Sequence, residues 1–109
     1  MQLPDLNDAT LPAFVGAAEQ PVVLVFHARW SKPARTMLPV VADLAENYDR
    51  LLSFALVDAD ASPQALYRYG VLSLPSYLLL SRGRVVGRYI GLQTKERLAE
   101  LLEAGIQRV

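Results

Sequence analysis

The side chains that could do chemistry fall into a few small groups, and none of the groups is complete. His27 and Ser31 lie one helical turn apart along the chain. A serine nucleophile needs a base within hydrogen-bond reach, an acid to orient that base and an oxyanion hole, and the sequence signals neither of the last two. His27 is therefore read as a satisfied or partly exposed residue at a strand end. Asp58 and Asp60 offer two carboxylates without a third ligand, which describes a solvated loop or a helix cap better than a metal site. Arg82, Arg84 and Arg88 make a basic spot, read as a solvated turn. Tyr67 and Tyr69 read as core and rim residues of a short helix. Eleven Lys and Arg balance eleven Asp and Glu, and the sequence pI is about 6.6. This balance leaves no electrostatic footprint for a nucleic acid or an anionic bilayer. Cysteine is absent, which excludes disulfides, thiolate nucleophiles, iron–sulfur clusters and the usual zinc knuckles within these 109 residues. No catalytic residue, metal or cofactor is expected.

The elements that must position these groups follow from apolar patterning. With 109 residues, 52% of them apolar, the chain reads as one domain spanning residues 1–109. Asp8 or Thr10 is expected to cap a short helix with Pro12 in its first turn and an apolar edge of Leu11, Phe14 and Val15. Val22 to Phe26 is continuously apolar, the mark of a strand covered on both faces. Met37, Val40, Val41, Leu44 and Tyr48 recur at helical spacing, interrupted by Pro39, which predicts a kink. Leu51 to Val57 reads as a second buried strand. Ser62-Pro63 opens a short helix that stops at Gly70. Ser76 to Leu80 and Val85 to Ile90 read as a hairpin around Arg82-Gly83-Arg84. Thr94 caps a last helix with Leu98, Leu101, Leu102 and Ile106 on its core face. The order α–β–α–β–α–β–β–α gives an α/β fold: a mixed sheet of four or five strands flanked by four helices. Met1-Gln2-Leu3-Pro4-Asp5 contains no basic region followed by an apolar stretch, so no signal peptide is expected and the expected compartment is the cytoplasm. No apolar run approaches the ~20 residues that cross a bilayer.

The junction after the first predicted strand reads Phe26-His27-Ala28-Arg29-Trp30-Ser31-Lys32-Pro33-Ala34. Together with Pro39, Tyr69-Gly70-Val71, Leu74-Pro75, Gly83 and Gly91, it resembles the thioredoxin family over nearly the whole chain. The resemblance implies a thioredoxin fold, a cis Pro75, and a shallow groove for an extended peptide. That groove would be formed by Trp30, Ser31, Lys32 and Pro33, by Ser73, Leu74 and Pro75, and by Ile90, Gly91 and Leu92. A residue before such a proline can offer its backbone to a peptide by strand addition.

Two departures from the family pattern bear on function. The family's Cys-x-x-Cys is replaced by Ser31-Lys32-Pro33-Ala34, and neither serine nor alanine can form a mixed disulfide. The family's buried aspartate, which assists proton transfer in thiol exchange, and the lysine paired with it align with Val25 and Leu56. The expected function is a redox-inactive thioredoxin-like protein that binds a protein or peptide partner, as a chaperone-like or assembly module, and is a monomer or a weak dimer. The alternative is a disulfide oxidoreductase whose cysteines have been replaced by Ser31 and Ala34. A purely structural or dimerising domain is a third reading.

Overall fold

The computed structural model describes residues 2–109. Five strands form one sheet: β1 (Asp5–Leu6), β2 (Val22–His27), β3 (Ser53–Asp58), β4 (Ser76–Ser81) and β5 (Arg84–Ile90). Their order is β1-β3-β2-β4-β5, with β1, β3 and β2 parallel and β4 antiparallel to both β2 and β5. Four helices flank it: α1 (Leu11–Ala17), α2 (Lys32–Asn47), α3 (Pro63–Tyr69) and α4 (Lys95–Ile106). The mixed sheet with four helices agrees with the expected architecture, and β1 makes it five strands.

The unbroken apolarity of β2 has a direct cause. Alternate residues of a strand point to opposite faces. Val23 and Val25 join a cluster with Met37, Val41 and Leu44 of α2 and Leu98 and Leu102 of α4. Val22, Leu24 and Phe26 join a second cluster with Leu11 of α1 and Ala65 of α3. Both faces of the strand are thus buried, and an alternating pattern would expose charge to one of the two cores.

Several local expectations are corrected. The two-residue β1 carries too little periodicity to be read from sequence, and it pairs in parallel with Leu56 and Val57. The second buried strand begins at Ser53 rather than Leu51, because Tyr48 to Leu52 closes α2 with backbone bonds from Leu51 and Leu52 to the Tyr48 carbonyl. Asp8 does not cap α1. Its carboxylate instead accepts from the Gln64 and Ala65 amides, 2.9 and 2.8 Å away, at the start of α3. This long-range cap takes the role expected of Ser62, whose buried hydroxyl has no hydrogen-bond partner among the described residues. The turn before α1 is held by Asn7, whose side-chain oxygen accepts from Ala9 and Thr10. Thr94 caps α4 as expected, accepting from Arg97 at 3.0 Å. Tyr67 is 91% exposed and belongs to no core, whereas Tyr69 packs edge-on against Phe26. Leu101 is half-buried beside the fully buried Leu98 and Leu102.

Across the α4 face, Tyr89 fills the space that two glycines leave open. A Cβ at Gly87 or Gly105 would sit 2.2 or 2.8 Å from its hydroxyl oxygen. The hydroxyl donates to the Leu101 carbonyl at 3.0 Å, which ties β5 to α4. Burial raises the pKa of this phenol, with Arg108 opposing the shift. Among the described residues no helix is long and apolar enough to cross a membrane.

Candidate functional site: the groove beside Trp30 and Pro75

The first wall of the site is the turn between β2 and α2. The Ser31 amide donates to the Ala28 carbonyl at 3.1 Å, closing the turn, and Ser31 then becomes the N-cap of α2. Its backbone is extended, and its hydroxyl oxygen accepts from the Ala34 amide at 3.3 Å. Such a cap satisfies one of the orphan N–H groups of a helix start. Ser31 is 6% exposed, so this hydroxyl is committed to the helix rather than presented as a nucleophile. The Arg35 guanidinium donates to the Arg29 carbonyl and pins the turn from the helix side.

Trp30 projects from this turn and is 68% exposed. Its indole N–H donates to both carboxylate oxygens of Asp60, at 3.0 and 3.2 Å. Asp60 lies on the short 3-10 turn Ala59–Ala61 that follows β3, and Asp58 caps that turn by accepting from the Asp60 amide at 3.0 Å. Of the two carboxylates read as a solvated loop or a helix cap, Asp58 caps a turn and Asp60 orients an indole.

The second wall is the loop before β4. The Leu74–Pro75 peptide bond is cis. The Ser76 hydroxyl donates to the Ser73 carbonyl at 2.7 Å and holds the loop against the strand. Among the described residues, neither the N–H nor the C=O of Leu74 has a hydrogen-bond partner. The third wall is the end of β5. The Gly91 amide donates to the Pro75 carbonyl at 2.9 Å, and the Tyr77 hydroxyl donates to the Gly91 carbonyl at 2.8 Å. Gly91 takes a φ of 85°, which a side chain would disfavour. Tyr77 is fully buried, and burial pushes its phenol up to about 12.

Between the first two walls lies a cleft of about 370 Å³. Of the residues proposed from sequence, Trp30, Ser31, Ser73 and Leu74 line it. Lys32 and Pro33 stand exposed in the first turn of α2, outside the cleft. Pro75, which is buried, and Ile90, Gly91 and Leu92 do not line the cleft; Ile90 and Leu92 are 54% and 61% exposed on either side of Gly91 in the chain. Sequence reasoning missed Ala59, Asp60, Leu66, Val71 and Leu72, which complete the lining. Leu72 is 97% exposed. Its signal was available: a leucine in a loop, just past the helix-ending Gly70 and before Pro75, has no periodic partner to bury it.

Two proposed pairings are settled by position. His27 does not reach Ser31: its Nε2 is 3.1 Å from the Asp5 carboxylate, and its side chain is 12% exposed. Val25 and Leu56 lie directly opposite each other on β2 and β3, with Val25 fully buried in the α2–α4 core and Leu56 packed against the same core. The site therefore stands on apolar ground where an ion pair would otherwise be enclosed.

Comparison with known proteins gives one consistent result. A family model described as Thioredoxin matches residues 2–104. The thioredoxin of Alicyclobacillus acidocaldarius is 34% identical over 102 residues, covering 94% of this chain and 96% of that protein. Thioredoxin 1 of a Nostoc species is 31% identical, covering 90% and 92%. The M-type chloroplastic thioredoxin of Brassica napus is 32% identical over 96% of this chain, which spans 59% of that longer protein.

Proposed function

Because this chain belongs to the thioredoxin family, we propose that it is a redox-inactive member that recognises an extended segment of another protein in the groove beside Trp30 and Pro75. The chain as it stands has no cysteine and cannot carry out dithiol–disulfide exchange. The observation that carries the reading is the free backbone of Leu74, set beside an exposed indole whose N–H is already fixed by Asp60. An extended peptide can add to that backbone as a short strand, while apolar side chains lie on Trp30, Leu72 and Leu74. Peptide recognition of this kind draws on hydrogen bonds and apolar contact, and neither depends on sulfur. A titration of the 15N-labelled chain with extended apolar peptides tests it. Shifts should concentrate at the Trp30 indole and at residues 72–75. A flat titration there, or turnover of insulin disulfides by this chain with dithiothreitol, would overturn the proposal.

A second reading is favoured by the residue types at positions 31 and 34. Serine exchanges the sulfur of cysteine for oxygen and alanine deletes it, so both preserve the local backbone of a Cys-x-x-Cys helix start. On this reading the parent protein is a disulfide oxidoreductase. The codons for 31 and 34 in the source gene distinguish the two.

A further inference from the structure

The end of the sheet opposite the groove carries positive charge that no acidic side chain in the same stretch of sequence offsets. The whole chain is neutral, yet residues 61–94 contain four arginines and no acidic residue. Two of them, Arg82 and Arg84, sit on the turn between β4 and β5. The end of α4 brings Arg108 to the same place, where its guanidinium donates to the Val86 carbonyl at 3.2 Å. The three arginines line a cleft of about 370 Å³ together with Ser81, Val85, Val86 and Val109. Among the described residues, no ion pair engages Arg82, Arg84 or Arg108.

The turn itself favours a different residue. Arg82 and Gly83 have φ of 53° and 79°, the left-handed pair of a two-residue hairpin. Asparagine, aspartate and glycine are preferred at the first of these positions, because an ordinary side chain is disfavoured there. An arginine kept against that preference, beside two more without counter-ions, is a local inconsistency of the kind expected where a sequence serves binding rather than stability. A register shift between Leu79 and Leu80 places one extra residue in β5 at Val86, whose carbonyl holds Arg108. Bulges commonly re-aim side chains in this way.

We propose that this cleft is an anion site that takes a phosphate group, either as inorganic phosphate or as a small phosphate monoester. Guanidinium groups suit this chemistry, since each presents a planar fork of donors that matches phosphate oxygens. Ser81 adds a hydroxyl, and Val85 and Val86 give an apolar wall for the organic part of an ester. The site is separate from the groove and owes nothing to it.

The test is a titration of the full 15N-labelled chain at constant ionic strength, first with sodium phosphate and then with phenyl phosphate. Saturable shifts should appear at residues 81–86 and 106–109, with Trp30 and Leu74 unmoved. Tighter binding of phenyl phosphate identifies an ester ligand, and equal binding identifies free phosphate. Arg84→Gln or Arg108→Gln should weaken binding at least about tenfold, the loss of one charge-assisted contact. Arg82→Asn separates recognition from folding: it should raise Tm by about 4 °C while weakening phosphate. Unsaturable shifts that chloride reproduces, or variants that bind as the parent does, would overturn the proposal.

Discussion

The two ends of the central sheet have been furnished in opposite ways. At the groove end the shape is complete and the reactive atoms are missing: Ser31 caps a helix, Ala34 supplies only an amide, and Val25 and Leu56 meet as a hydrocarbon pair. At the hairpin end the charges are present and the local geometry works against them, with an arginine in a left-handed turn position. The recognition proposed for the first region rests on shape. A region that carries unpaired charge at a conformational cost points to recognition by electrostatics.

The largest effect expected is at the groove end. If its geometry is intact, Ser31→Cys with Ala34→Cys should convert a chain without turnover into one that reduces insulin disulfides with dithiothreitol as electron donor. The sulfur introduced at position 31 would sit where the Ser31 oxygen now accepts the Ala34 amide, and a helix N-terminus lowers a thiol's pKa. Oxidation of the pair to a disulfide should be visible by mass. A double variant that folds but reduces nothing would show that shape was lost along with sulfur, and the contrast between the two ends would collapse.

The next effect concerns the ground beneath the groove. Val25→Asp places a carboxylate in a site with almost no exposed surface and no cation, which should cost on the order of 3–5 kcal/mol at neutral pH. The folded-state pKa of this carboxyl would be raised, so the penalty is absent below its unfolded pKa and grows as pH rises above about 4. Urea melts of both proteins at pH 7 and near pH 4 measure it. Adding Leu56→Lys should recover part of the loss, because its Cα faces that of residue 25. A fully additive double variant would mean that the site no longer accommodates an ion pair.

How much of this was legible in the sequence differs between the same two ends. Val22 to Phe26, the α2 stripe and the Arg82-Gly83 turn are local patterns, and they placed β2, α2 and the hairpin correctly. The lining of the groove was only half legible. Trp30 and Leu74 stand beside motif residues, but Asp60 reaches the indole from a different strand end, 30 residues along the chain. Asp8 capping α3 is the same case across 56 residues. Side chains that act through a distant partner leave no periodicity, so a carboxylate in a loop looks solvated until the fold brings its donor near. At the hairpin the residues were visible as a basic spot, while Arg108 joined them only through the packing of α4. Neutral overall charge hid the imbalance, because composition averages over the very segregation that matters.

Tyr77 connects the buried core to the groove and predicts a smaller, pH-dependent effect. Its phenol is raised to about 12 by burial against an unfolded value near 10. A raised folded pKa means that stability is full below pH 10 and declines as the unfolded chain ionises first. Between pH 10 and 12 the loss should amount to roughly 2–3 kcal/mol. Tyr77→Phe removes this decline, and it costs about 1 kcal/mol at neutral pH by leaving the Gly91 carbonyl without its donor. Chemical denaturation across that pH range checks both. Identical slopes for the two proteins would place the alkaline loss elsewhere.

The smallest stability effect is the one that sharpens the contrast most. Asp60→Ala removes the acceptor of an exposed indole, and the folded state should lose no more than about 1 kcal/mol. Peptide binding should suffer more than stability does. Without the carboxylate the Trp30 ring rotates freely, and ordering it again is a cost each bound peptide must meet. The groove end would then show weaker binding at nearly constant Tm, whereas Arg82→Asn at the hairpin end should raise Tm while weakening its own ligand. Tryptophan fluorescence anisotropy, thermal melts and a peptide titration on the Asp60 variant suffice. If affinity and Tm fell in proportion, Asp60 would be a structural residue that happens to border a cleft, and the indole would not be held in place for a partner.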